Sequence, residues 1–190
     1  MKSIKSLLLI LFCIFSSILF SQEHIKFKGI PLTGNVNSFS QELVKLGFVI
    51  VESNGNIITM EGEFINKKCE VLVVGSKTTN IIWKVIAYLP EETNWYSLKN
   101  NYLEIKNQFQ QKYGDGRSYE FFSKPYEEGD GYEMQALGLE KCRYITFFET
   151  ELGTISVDVS KYKQISIGYE DKINLEIKKN EAESIINNDI

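Results

Sequence analysis

The chain of 190 residues carries 21 lysines and arginines against 25 aspartates and glutamates, which gives a net charge of −4. Arginine occurs only at Arg117 and Arg143. This acidic, arginine-poor composition argues against binding to nucleic acid or to an anionic membrane surface, because both partners require a basic patch. The length suits one domain with a hydrophobic core of its own.

The N-terminus has the pattern of a secretory signal peptide. Two lysines precede an apolar run from Leu7 to Phe20, and the small residue Ser21 follows. The run is shorter than the roughly 20 residues that span a bilayer, so we expect residues 1–21 to be a cleaved signal peptide. The mature chain would start at Gln22, contain no transmembrane segment, and be periplasmic or secreted.

The first part of the mature chain predicts a short helix and an antiparallel meander. Ser38 and Gln41 have capping-box spacing at the start of the helix, and Gly47 ends it. One strand-like run precedes the helix and four follow it, at 25–29, 48–52, 57–65, 69–74 and 81–89. Asn54-Gly55, between two of these runs, is typical of a β-hairpin turn.

The second part predicts a longer helix and three more strands. The apolar residues of the helix are spaced by three, four, three and four positions, at Trp95, Leu98, Tyr102, Ile105 and Phe109. This stripe predicts an amphipathic helix over Trp95–Tyr113, with Gly114 as its cap. The later elements are a short helix at 131–137 and strands at 141–149, 154–160 and 164–170.

These elements predict one α+β domain over residues 22–174, in which an antiparallel, meander-like sheet carries helices on one face. Each half begins with a glycine-terminated helix and later reaches a strand that opens with a cysteine, at Cys69 and Cys142. This likeness of pattern indicates a faint internal duplication. Residues 175–190 form a charged tail that is either helical or partly disordered.

Cys69 and Cys142 are the only cysteines of the predicted mature chain. Oxidising compartments preserve disulfides, so these two residues can form a bridge in an exported protein. The alternative is a pair of free, buried thiols that pack as small hydrophobic side chains. Neither residue belongs to a Cys-x-x-Cys motif, and redox catalysis therefore has no support in the sequence.

The sequence offers little for the common catalytic and metal sites. The single histidine, His24, is the third residue of the predicted mature chain, where we expect it to be solvated and too frayed for a catalytic triad. Glutamates alternate on two predicted strands, at Glu61 and Glu63 and at Glu149 and Glu151. Such alternation is typical of the wet face of a sheet, although glycoside hydrolases also use carboxylate pairs. We expect no enzymatic activity, no metal and no cofactor.

The segment from Tyr119 to Tyr132 combines aromatic residues with an acidic cluster and shows no clear periodicity. Its carboxylates do not have the register of an EF-hand loop, and a turn followed by a helix cap explains them better than a calcium site. Long irregular segments are usually functional or disordered, and a high aromatic content argues against disorder. The predicted ligand-binding residues are Tyr119, Tyr126, Asp130 and Tyr132.

Three motifs point to a group of related proteins. They are Phe27–Leu32 (FKGIPL), Tyr169–Asn174 (YEDKIN) and the C-terminal Asn188–Ile190 (NDI). Together with the strands between them, they resemble a family of small exported bacterial proteins of unknown function. The resemblance covers most of the mature chain; it implies export and this domain layout, and it carries no activity.

These patterns favour an exported, non-enzymatic binding or interaction protein of the cell envelope, with a protein, a peptide or a glycan as its partner. One alternative is an inhibitor of a secreted or periplasmic enzyme that presents a loop from the sheet. Another is a hydrolase that uses carboxylates alone. Two converging carboxylates with raised pKa values would favour the hydrolase, and an exposed aromatic patch would favour binding.

Overall fold

Eight antiparallel strands form the main sheet of the computed structural model, which describes residues 23–189. In this part of the chain, a two-stranded hairpin and four helices complete the α+β fold that the sequence predicts. The predicted signal peptide, residues 1–21, lies outside the described residues. No helix among residues 23–189 is long and apolar enough to cross a membrane.

The hairpin consists of β1 (Lys26–Phe27) and β2 (Ile30–Pro31), and the helices are α1 (Val36–Lys45), α2 (Trp95–Tyr113), α3 (Glu133–Gly138) and α4 (Lys172–Asp189). The main sheet contains β3 (Val49–Asn54), β4 (Ile57–Phe64), β5 (Lys67–Gly75), β6 (Ile82–Tyr88), β7 (Arg117–Phe122), β8 (Cys142–Thr150), β9 (Gly153–Val159) and β10 (Ile165–Asp171). Its strand order is β3-β4-β5-β6-β10-β9-β8-β7, with β3 and β7 at the edges.

The two halves of this sheet repeat one arrangement. In each half a helix leads into four antiparallel strands, α1 into β3–β6 and α2 into β7–β10. The halves meet where β6 pairs with β10, and Ile86 lies opposite Gly168 at the middle of that pair. The last strand of each half is central and the first is at an edge. This pseudo-two-fold arrangement exchanges β5 with β9 and β4 with β8, so the strands of Cys69 and Cys142, which the sequence pattern equates, are not equivalent.

Helices α1 and α2 pack on one face of the sheet and bury the core. The apolar stripe predicted for α2 is buried along its whole length, and the helix has the predicted bounds. Asn94 caps it by accepting a hydrogen bond from the backbone N–H of Ser97, at 2.9 Å. The sheet residues that face these helices include the buried Val71, Val73, Val85, Ile155 and Val157. We call the opposite side the open face.

Two local predictions in the first part of the chain are wrong. Residues 25–29 contribute to the β1–β2 hairpin and do not form one strand. The capping box of α1 consists of Asn35 and Ser38, because each side chain accepts a hydrogen bond from the backbone N–H of the other. The helix therefore begins three residues earlier than the Ser38–Gln41 spacing predicts.

A buried hydrogen-bond network fastens the N-terminal segment to the middle of the sheet. The Asp171 carboxylate accepts a hydrogen bond from the backbone N–H of Ile25 at 3.0 Å. The Asn174 amide donates to the backbone carbonyls of Leu32 and Ile82, both at 2.8 Å. The segments Phe27–Leu32 and Tyr169–Asn174 meet in this network, where they hold the fold together.

His24 belongs to the same anchored segment. Its Nδ1 atom is 3.0 Å from Oδ1 of Asp171, and the two side chains are 14% and 0% exposed. The expectation of a solvated, frayed histidine is therefore wrong. The sequence did not reveal this contact because Asp171, at the end of β10, is 147 positions away.

Candidate functional site

The four residues predicted to bind a ligand do not form one site. The loop between β7 and α3 contains three of them, Tyr126, Asp130 and Tyr132. The fourth, Tyr119, lies in β7 (Arg117–Phe122), so the prediction of an irregular segment is wrong over Tyr119–Phe122. Its neighbour Glu120 accepts hydrogen bonds from Tyr102 and Lys106 of α2. Because successive strand residues point to opposite faces, Tyr119 is on the open face, away from α2.

The acidic residues of the loop are engaged in holding the loop itself. Asp130 accepts hydrogen bonds from two backbone N–H groups of the loop, at 2.9 and 2.7 Å. Glu128 pairs with Lys99 of α2, and this contact lowers the pKa of Glu128. Tyr126 packs partly buried against the core, while Tyr132 is 60% exposed. Among residues 23–189, no cluster of three or more histidine, cysteine or acidic side chains is arranged to hold a metal.

Cys69 and Cys142 are free and buried in the described part of the chain. They lie on β5 and β8, and three strands separate these two in the sheet. At about 4.8 Å per strand spacing, the separation is on the order of 19 Å, well beyond bridging distance. Burial raises the pKa of the Cys69 thiol to about 11 and that of Cys142 to about 12. The disulfide that the sequence allows is not formed, and both thiols stay protonated.

A polar pocket lies at the end of the sheet where β6 and β9 end and β8 and β10 begin. Strand register assembles it, because Ser166 of β10 lies between Tyr88 of β6 and Asp158 of β9. We call it the Asp158 pocket; its volume is about 240 Å³. Its other lining residues include Leu137, Glu140, Cys142, Arg143, Ser160, Lys161 and Tyr162. The lining is thus mainly polar, with Leu137 and Val159 among its few apolar members.

Asp158 is the least satisfied charged group of this pocket. Its Oδ1 atom is buried and has no hydrogen-bond partner among residues 23–189. Loss of hydration raises the pKa of Asp158, and the positive charges of Arg143 and Lys84 oppose that rise only in part. A buried carboxylate oxygen without a partner is costly. The pocket is therefore suited to a ligand that donates a hydrogen bond to Asp158.

Hydroxyl groups surround this carboxylate. Ser160 Oγ is likewise buried without a hydrogen-bond partner in the described part of the chain. Burial raises the pKa of Tyr88, and the nearby Asp158 raises it further, so the phenol stays protonated. The turn after β9 is closed by a hydrogen bond from the Lys163 N–H to the Ser160 carbonyl, at 3.0 Å. This turn places the exposed ring of Tyr162 at the pocket.

A second depression, which we call the α4 groove, lies between α4 and the ends of β5 and β6. It is largely apolar and has a volume of about 450 Å³. Its lining includes Val74, Trp83, Lys178, Ala182, Ile185 and Ile186. The Lys178 ammonium lies 4.9 Å from the centre of the Trp83 ring. Glu181 accepts hydrogen bonds from Ser76 and from the Thr78 backbone N–H, which hold α4 beside the sheet.

The pocket and the groove occupy equivalent places in the two halves of the sheet. Val74 of β5 pairs with Lys84, two residues before the middle of β6. Asp158 of β9 pairs with Ser166, two residues before the middle of β10. The pseudo-two-fold arrangement therefore exchanges Val74 with Asp158. One position is apolar and lies beside α4, and the other is a poorly hydrated carboxylate.

The Asp158 pocket could not be predicted from the sequence. On β9 the polar residues Thr154, Ser156 and Asp158 alternate with apolar ones, which is what the wet face of any sheet shows. Tyr88 and Arg143 come from two other strands. The alternation that predicted β9 contains no information on which strands lie beside it, so no local signal points to this site.

No protein-family model, curated protein sequence or solved structure matches this chain.

Proposed function

We propose that this protein is a non-enzymatic binding protein of the cell envelope and that the Asp158 pocket takes a saccharide unit of a glycan. The observation that carries the proposal is the pair of buried polar atoms, Asp158 Oδ1 and Ser160 Oγ, that line one pocket and have no hydrogen-bond partner among residues 23–189. Native proteins satisfy nearly all such atoms. A bound ligand would supply the missing partners.

The chemistry of the lining favours a saccharide. A sugar hydroxyl can donate to Asp158 while it accepts from Arg143 or a serine hydroxyl, so one group meets both needs of the pocket. The Tyr162 ring offers a flat apolar surface with a polar tip, suited to the C–H face of a sugar. Pockets for drug-sized ligands measure about 300–1,000 Å³. The 240 Å³ here suits a single ring.

Binding is better supported than hydrolysis. A glycoside hydrolase needs an acid and a second carboxylate whose environments hold their pKa values apart. Burial raises the pKa of Asp158, whereas the pKa values of Glu128 and Glu181 are lowered and both residues lie outside the pocket. The other carboxylate at the pocket, Glu140, is 71% exposed and pairs with Lys161 at 3.4 Å. The two carboxylates therefore do not share a closed site.

A titration followed by amide NMR tests this function. N-acetyl-D-glucosamine and D-glucose should shift the signals of residues around the Asp158 pocket, with affinity in the millimolar range because the pocket is small and open. Asp158→Asn should weaken binding about 10-fold or more, since a charge-assisted hydrogen bond contributes roughly 1.5–3 kcal/mol. The matched control is Glu151→Gln in the exposed β8–β9 turn, which should leave the affinity unchanged.

The same experiment can contradict the proposal. If neither sugar shifts any signal, a saccharide is excluded as the ligand. If Asp158→Asn binds as tightly as the wild type, the Asp158 pocket is excluded as the binding site. Release of product from an aryl glycoside, abolished by Asp158→Asn, would replace binding with the hydrolase alternative.

A further inference from the structure

The second half of α4 has an apolar stripe that the sheet covers only in part. Residues 178, 181, 182, 185 and 186 follow the period of one helix face, and all five line the α4 groove. Glu181 holds the middle of this face to the sheet. Beyond it, Ile185 and Ile186 line the groove and remain 43% and 57% exposed. Apolar side chains therefore line both walls of a groove that no part of residues 23–189 fills.

The size of the groove restricts what can fill it. Its volume of about 450 Å³ is in the range of sites for small molecules, about 300–1,000 Å³. An α-helix is about 10–12 Å across and rises about 5.4 Å per turn, so this volume would hold only about one helical turn. A partner helix therefore does not fit. A single unbranched hydrocarbon chain does, and it would contact Val74 and Trp83 on one wall and Ala182 on the other.

Two lysines indicate the charge of the head group on such a chain. Lys77 and Lys178 line the groove, and among residues 23–189 neither ammonium group has a carboxylate oxygen within 4.0 Å. Glu181, the acidic residue of the described lining, already accepts hydrogen bonds from the turn before β6. An anionic head group would supply the partner that both ammonium groups lack.

We propose that the α4 groove binds a free fatty acid as its carboxylate, with the head group at Lys178 and the acyl chain between α4 and the ends of β5 and β6. The Lys178 ammonium lies over the Trp83 ring, so this ring would cover the part of the chain next to the head group. The Trp83 N–H donates to the Gly75 carbonyl at 3.2 Å, which holds the ring in the wall of the groove. Ile186 is eight positions, about 12 Å, further along α4 and would cover the end of the chain.

Tryptophan fluorescence measures this binding, because the chain has two tryptophans and Trp83 is the one that lines the groove. Decanoate, kept below the concentration at which it forms micelles, should shift the emission of Trp83. Trp95 is buried against Phe122 and Tyr144 and should not respond. Affinity measured by calorimetry should rise up to about fourfold with each methylene added between octanoate and decanoate, which corresponds to about 0.8 kcal/mol.

Matched variants test the head group and the chain separately. Lys178→Gln should weaken decanoate binding about 10-fold, because it removes a charge-assisted hydrogen bond, and leave the weaker binding of uncharged decan-1-ol unchanged. Lys179→Gln is the control, at an exposed neighbour that pairs with Glu176, and should change neither affinity. Ile186→Glu should abolish the binding of both ligands. Leu139→Glu, at an exposed apolar residue after α3, should have no effect.

Four results would overturn the proposal. The first is the absence of any fluorescence or heat change with decanoate. The second is binding of decan-1-ol as tight as that of decanoate, and the third is wild-type affinity for decanoate in Lys178→Gln. The fourth is a dimer in sedimentation analysis whose formation excludes decanoate, which would identify a second copy of the chain as the occupant of the groove.

Discussion

The two halves of the sheet share one topology and differ in what they leave exposed. At one pair of equivalent positions the first half has Val74, beside α4, and the second half has Asp158, in a small polar pocket. At the edges, all six residues of β3 are exposed, whereas β7 is tied to α2 through Glu120. A repeated backbone plan thus supports two kinds of surface, and single side chains decide which kind each half carries.

The largest loss of stability should come from substitutions at buried leucines of α1 and α2. These substitutions test whether the two halves of the sheet unfold together. Leu43 of α1 and Leu98 of α2 are both 0% exposed. Leu43→Ala and Leu98→Ala should each lower the free energy of unfolding by about 2–5 kcal/mol. Because the sheet is continuous through β6 and β10, each variant should still unfold in one transition. Chemical denaturation followed by circular dichroism and tryptophan fluorescence measures the number of transitions. Two separate transitions would show that the halves unfold independently.

A smaller loss of stability should follow when the hydrogen bonds of Asn174 to the first half are removed. Asn174→Ala removes the donor of two hydrogen bonds and leaves the buried carbonyls of Leu32 and Ile82 without their partner. The expected loss is about 2–3 kcal/mol, measured by chemical denaturation. Asn180→Ala, at an exposed position of the same helix, should change stability by less than about 0.5 kcal/mol. Equal effects of the two variants would contradict the claim that the hydrogen bonds of Asn174 stabilise the fold.

The smallest effect should be a gain in stability from a substitution at Asp158, the position at which the two halves differ. Asp158→Asn should stabilise the protein at pH 7 by about 1–2 kcal/mol, because it removes a charge that lacks a buried partner. The pKa of Asp158 is raised in the folded state, so the folded form binds its proton more tightly. The wild type therefore loses stability as pH rises from the ordinary Asp value of 3.8 through the raised value.

Thermal unfolding between pH 3 and pH 8 checks this sign. The advantage of Asp158→Asn should vanish below pH 3.8 and be full near neutrality. Asp115→Asn, in an exposed turn, should give a change of less than about 0.5 kcal/mol at every pH. An advantage that grows toward low pH would show that the pKa of Asp158 is not raised in the folded state.

The sequence predicted those parts of the fold that short-range patterns encode. The stripe from Trp95 to Phe109 defines α2 because one helix face must be apolar along its whole length. Alternation likewise located most strands. β7 was missed because an edge strand lies half in solvent, and its residues Arg117–Phe122 need no strict alternation. The Asp158 pocket was missed because it depends on strand order, which brings residues 88, 143 and 158 together.

The anchoring of Ile25 to Asp171 also determines how a pulling force would travel through the molecule. Asp171 and Asn174 fasten the N-terminal segment at the place where α4 begins. Tension between the N-terminal segment and α4 would therefore load these few hydrogen bonds and bypass the eight-stranded sheet. The chain would yield first at this fastening, while the surfaces displayed by the sheet kept their shape.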